Sequence, residues 1–228
     1  VFAALLFSAA IAAEPRPKIV FSCWLPPTVP LHERLTTLYA EAFDALGYDF
    51  QMHYRPNQRS LMEARAGVTD GECARTDTYD QDNASAPLVR VDAQIASTSL
   101  EAWSSDPDLK VVSLNRLVEH DYRIGYVRGH VAVSALMERY PTLRLTPITG
   151  TEHGLKMLSA GRLDLFIGTS ISTRQEMAAL QLPTTLYSAG HLMVLRGHPY
   201  LNEKHEALAK RLAEELKKRL PEGGWRFE

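Results

Sequence analysis

The stretch that decides the fold is Leu61–Arg75, LMEARAGVTDGECAR. Leu61, Met62, Ala64, Arg65 and Ala66 suit a helix. Gly67 supplies the positive φ that ends one. Asp70-Gly71 turns the chain into a short run holding Cys73 and Arg75. The phrase returns as Leu155–Gly168, LKMLSAGRLDLFIG, in which Leu155, Ala160, Gly161 and Asp164 each stand 94 positions after Leu61, Ala66, Gly67 and Asp70. These are two copies of one helix–glycine turn–strand unit, one in each of two expected lobes. The natural functional site is then the cleft between them.

Outward from the repeat, the chain alternates strand and helix. Lys18–Cys23 reads as a strand stopped by Pro26-Pro27, 32–46 as a helix ending at Gly47, and 48–54 as a strand. A helix follows through Arg65, with Asn57 as its expected cap. Residues 76–87 are polar and read as a loop, and 88–103 as extended. The second half repeats the alternation: a short helix over 114–119, a strand over 122–127, a helix over 131–140 and a strand over 143–148. A helix over 151–160 with Thr151 as N-cap, a buried strand over 163–168 and a helix over 173–180 complete it. The run 187–195 is expected to return to the first lobe, ahead of an amphipathic helix with Leu208, Leu212, Leu216 and Leu220 at every fourth position. The fold class is α/β, two-lobed, each lobe a mostly parallel sheet flanked by helices. Lobe 1 is assigned to 18–103 plus 189–228 and lobe 2 to 110–188, with hinge strands near 92–110 and 186–194.

Composition narrows the function. The 228 residues are 45% hydrophobic and 23% charged with a net charge of −2, so bulk charge makes no case for nucleic acid or an anionic membrane. Val1–Ala13, VFAALLFSAAIAA, is too short to span a bilayer and ends in small residues, the pattern of a secretory-signal remnant. Export permits a disulfide between the only two cysteines, Cys23 and Cys73, and two buried thiols are the alternative. The eight histidines lack HxxxH or HExxH spacing, so no metal site is expected, and no cofactor motif is present. GxSxG, P-loop and GxGxxG motifs are absent; Glu72 beside Cys73 lacks the paired base that thiol chemistry needs.

Taken together, KIVFSCWLPP at the first strand, NQRSLMEARAGVTDGECAR, YRIGYVRGH, LSAGRLDLFIG and the terminal amphipathic helix resemble the bacterial periplasmic solute-binding proteins. The nearest group is family 3, the polar-amino-acid binders, and the resemblance runs over about residues 18–225. It implies a type II periplasmic-binding-protein fold that closes on a small solute and serves an ABC permease or a membrane sensor, as a periplasmic monomer. The family's Ser/Thr-x-Thr-x-x-Arg segment has no good copy in 88–103; the chain resembles a divergent branch with an arginine after the Asp-Gly-Glu strand, here Arg75.

Ligand-binding candidates follow from positions at strand ends and helix starts. Trp24 is placed to stack on a ligand, and the planar forks of Arg75 and Arg59 to pair with its negative group. Arg128, Gly129 and His130 open a helix of the second lobe, and Thr151 opens the next. Asp70 and Asp164 are expected to brace their turns rather than touch ligand. His191 reads as a packed strand histidine. The expected activity is binding, with a lyase or dehydratase on the same scaffold as the alternative.

Overall fold

The computed structural model describes residues 15–77, 79, 87–111, 114–128, 133 and 139–227. Ten strands form one sheet, and helices pack on it. In chain order they are β1 (Lys18–Cys23), α1 (Pro30–Ala45), β2 (Asp49–Tyr54), α2 (Asn57–Arg65), β3 (Gly71–Thr76), β4 (Leu88–Arg90) and β5 (Ala96–Ser104). There follow α3 (Leu114–Glu119), β6 (Ile124–Val127), β7 (Leu145–Ile148), α4 (Thr151–Ser159), β8 (Leu165–Thr169), α5 (Ser170–Ala179), β9 (Tyr187–Asn202), α6 (Glu206–Arg219) and β10 (Trp225–Phe227). The expected signal remnant at 1–13 and most of the expected helix over 131–140 lie outside the described residues.

The strand order is β2-β1-β3-β9-β5-β8-β6-β7, with β4 on β9 and β10 on β5. β2-β1-β3 and β8-β6-β7 are parallel triplets, as helical crossovers require. β9 and β5 run antiparallel to their neighbours between them. The mostly parallel sets therefore belong to one continuous sheet. The reason is the length of β9, whose 16 residues pair with β3 and β4 at one end and with β5 along the rest.

The repeat is real at the level of individual hydrogen bonds. Gly67 and Gly161 have φ of 69° and 67°. After α2, the N–H of Gly67 donates to Ala64 O (3.2 Å) and that of Val68 to Glu63 O (3.0 Å); after α4, Gly161 donates to Leu158 O (3.0 Å) and Arg162 to Met157 O (2.9 Å). This is the same Schellman closure twice. Each aspartate then clasps the strand beside it. Asp70 N–H donates to Val20 O at 2.7 Å and its carboxylate accepts from Val20 N–H at 2.8 Å. Asp164 does the same with Arg123, at 2.9 and 2.7 Å. Both aspartates brace their turns, as expected.

Local capping differs from the sequence reading. Pro56 and Gly150 occupy the N-cap positions of α2 and α4 without side-chain caps, which puts Thr151 one residue inside its helix. β10 is an element the sequence reading lacks. Trp225-Arg226-Phe227 follows Gly223-Gly224 and pairs with Ala96–Thr98, filling the edge of β5 where β8 stops.

The buried side chains separate around the central strands. Leu35, Leu38, Tyr39, Ala42 and Phe43 of α1 and Leu208, Leu212 and Leu216 of α6 pack with Ile19 and Phe21 of β1 and with Leu201. Ile124, Leu165 and Ile167 pack with Leu100 and Ala102, while Trp103 and Phe166 pack with Leu155 and Leu158 of α4. Each of the leucines, isoleucines and phenylalanines among them contributes about 1.5–3 kcal/mol on burial.

Cys23 and Cys73 are joined by a disulfide, with Cα atoms 5.0 Å apart. It ties the carboxyl end of β1 to the middle of β3, and the buried Tyr39 hydroxyl donates to Cys73 O. Because it closes a loop of about 50 residues, replacing both cysteines by serine is expected to lower unfolding free energy by about 4 kcal/mol. Urea unfolding with and without reductant checks this, since reductant affects only the wild type. Burial pushes the Asp70 carboxyl up, but hydrogen bonds from Lys204, His205 and Val20 N–H outweigh it and hold the group below its ordinary value. That contribution is present above the unfolded carboxylate range near pH 4 and is lost as pH falls through the lower folded value. Asp70→Asn is thus expected to cost about 2 kcal/mol at pH 7, from lost charged hydrogen bonds. The gap from wild type is expected to narrow toward pH 3, as read by thermal unfolding at each pH.

Candidate functional site

The sheet directs the carboxyl ends of both parallel triplets at one place. β3 ends with Thr76 opposite Gly197 of β9. β8 ends with Thr169 opposite Leu100, which itself faces Met193. The two ends approach from opposite directions and stop four residues apart on β9, about 13 Å along a strand. Open α/β sheets bind ligands beyond such ends, so the candidate site is the gap over Met193–Gly197 and Ala96–Leu100.

Polar contacts finish both margins. Asp77 N–H donates to Arg196 O at 2.9 Å, and the two side chains pair at 3.5 Å. On the other side Thr98 Oγ1 and Ser170 Oγ lie 2.8 Å apart, and Ser170 donates to Phe227 O at 2.9 Å. The start of α5 and the chain's last strand are thereby tied to β5.

Trp24 and Arg75 come together at the first margin. Trp24 follows β1, is 37% exposed, and its Nε1–H donates to Ala74 O at 2.8 Å, so the indole is pinned beside the disulfide. Tyr54, exposed at the end of β2 opposite Cys23, adds a second aromatic that the sequence reading omitted. The alternation of 48–54 placed it at a strand end, which was the available signal.

Arg75 is held from behind. Its Nε donates to Glu72 Oε2 at 2.6 Å and Nη2 to Glu72 Oε1. Glu72 is fully buried and also accepts from Ser60 Oγ at 2.7 Å. Burial raises its pKa, against the pull of Arg75 and Ser60. The arginine therefore neutralises a carboxylate that has no access to water, whatever else it meets.

Arg59 stands apart: 70% exposed on α2, it pairs with Glu63 one turn on at 2.8 Å, and Arg55 pairs with the same carboxylate at 2.9 Å. Burial pushes Glu63 up, but the two arginines together bring it below its ordinary value.

Arg128 and Thr151 share the second half's carboxyl edge. Val127 pairs with Ile148, the exposed Arg128 donates its N–H to Ile148 O at 2.8 Å, and Thr151 opens α4 three residues later. Gly129 and His130 lie outside the described residues. His191 is not packed as expected; its side chain is 67% exposed, with Nδ1 3.3 Å from Glu101 Oε1. Among the described residues no group of three or more His, Cys, Asp or Glu is arranged to hold a metal ion. No described helix is long and apolar enough to cross a membrane.

No family model matches this chain. It is 26% identical over 215 residues to an uncharacterized protein of Shewanella oneidensis, covering 93% of this chain and 81% of that one. The VFT2 domain of Bordetella pertussis BvgS superposes with a TM-score of 0.66 at 16% identity, covering 91% of this chain and 90% of that domain. A histidine kinase sensor domain with similarity to periplasmic binding proteins gives 0.66 at 15%, covering 89% and 90%. The arginine-bound form of truncated ArgBP from T. maritima gives 0.63 at 13%, covering 89% and 96%. At these identities the likeness concerns architecture alone: the chain has the mixed α/β fold of periplasmic-binding-protein-like domains.

Proposed function

We propose that this protein is a periplasmic binder that closes two α/β halves on a small polar ligand, anionic or zwitterionic and amino-acid-like, for import by an ABC permease. The observation that carries this reading is the convergence of two sets of strand ends on the middle of β9 and β5. Both halves hang on the same two strands there. A change in twist over a few residues moves one half against the other, and a ligand contacting both shifts the balance toward the closed form.

In this reading Trp24 and Tyr54 offer aromatic faces from the first half, with Arg75 behind them. Arg128 and Thr151 close from the second. Arg59 is left out of the set because Glu63 pairs with it and its side chain is 70% exposed. The ligand leaves unchanged, so no turnover accompanies binding. One of the fold neighbours is a histidine kinase sensor domain, and this favours a second reading in which the closed form is read by a membrane sensor.

A thermal-shift screen of amino acids, small organic acids and polyamines tests binding, because a ligand selective for the folded state raises its melting temperature. A hit is expected to reduce the radius of gyration in solution scattering. A screen in which no compound raises the melting temperature overturns the proposal. Trp24→Ala is expected to weaken binding of the hit about tenfold with little change in melting temperature, since the loss is of stacking worth about 1 kcal/mol or more. Arg75→Ala is expected to cost about 3–5 kcal/mol of stability by stranding buried Glu72. Glu72→Gln in the same background is expected to recover much of that loss, as read by urea unfolding.

A further inference from the structure

One buried carboxylate is left unused by this site. Glu101 lies on β5 with its side chain fully buried, between Leu100 and Ala102, and shares the face of Ser99 and Trp103. Its Oε1 accepts from Ser99 Oγ at 2.8 Å and lies 3.3 Å from His191 Nδ1. Its Oε2 has no hydrogen bond among the described residues. Arg174 of α5 pairs with that oxygen at 3.9 Å through its Nη2, beyond hydrogen-bond reach. A carboxylate oxygen removed from water and given no donor is costly and calls for an explanation.

Arg174 supplies one. Its guanidinium carbon sits 5.1 Å over the Trp103 ring, while half of the side chain is in solvent. A flat cation on an indole face beside a carboxylate is the geometry by which proteins recognise guanidinium groups. Here the protein's own side chain fills that place, loosely. The backbone is shaped around it as well. β9 carries an extra residue between the partners of Leu100 and Glu101, so that His191 is paired with Glu101, and such bulges re-aim side chains next to sites. Trp103 Nε1 and Thr173 Oγ1 on the same side of the sheet are also buried without partners among the described residues.

We infer that Glu101 and the face of Trp103 form a subsite for a small guanidinium-bearing molecule, in which Arg174 is the resident, displaceable occupant. An incoming guanidinium takes the place over the ring and donates to Glu101 Oε2, and Arg174 swings into solvent. The subsite lies between β5, β9 and α5 and does not depend on what fills the gap between the strand ends.

The test is calorimetric titration with agmatine and methylguanidine, with methylurea as the neutral isostere. Wild type is expected to bind agmatine, and Arg174→Ala to bind it roughly tenfold more tightly, because an internal competitor lowers apparent affinity by the fraction of time it occupies the site. Methylguanidine is expected to bind Arg174→Ala and methylurea not. Glu101→Gln abolishes the response; if that variant does not fold, Trp103→Phe, which keeps a ring of weaker cation affinity, is expected to reduce it several-fold. Agmatine binding that Arg174→Ala leaves unchanged or weakens places the cation elsewhere and overturns the inference. So does equal binding of methylurea, or no binding by wild type.

Discussion

A single long strand constrains everything else. β9 pairs with β3 and β4 at its carboxyl end and with β5 through most of its length. Hydrogen-bond ladders tolerate twist but not gaps, since an unpaired buried N–H or C=O is expensive. The two parallel triplets are therefore joined through β9 and β5, with β10 added on the edge of β5 between them.

Charge in this molecule is handled mostly by local pairing. Asp70 is clasped by Val20, Lys204 and His205, Asp164 by Arg123, and Glu72 by Arg75 and Ser60. Arginines that a reader of the sequence assigns to ligand have, in two cases, a carboxylate of their own. Arg59 is held by Glu63, and Arg75 by a glutamate three residues before it. The reverse holds for Glu101, whose second oxygen keeps only a distant guanidinium.

The repeated Leu-Ala-Gly-Asp phrase was legible because its determinants are local. A glycine at positive φ followed three residues later by an aspartate that clasps the neighbouring strand gives the same closure in both halves. The parallel elements and the terminal helix were legible for similar reasons of periodicity, whereas for Cys23 and Cys73 the sequence left a disulfide and two buried thiols both open, and the structure shows the disulfide. β10 was not, because three residues after a glycine pair carry little pattern, and their strand character comes from the free edge of β5. Glu101 did leave a trace, as one acid amid Leu100, Ala102 and Trp103. His191 left none, since alternation alone does not say that a strand face is uncovered.

The sequence by itself determined the α/β alternation, the duplicated turn and the strand-end positions of Trp24, Arg75 and Arg128, because these follow from backbone propensity and spacing within a few residues. Tertiary structure alone decided that both triplets join one sheet, that Glu72 claims Arg75, and that Arg174 covers Trp103 beside Glu101. Those outcomes depend on groups brought together across long separations, where burial rather than local preference sets which charge meets which.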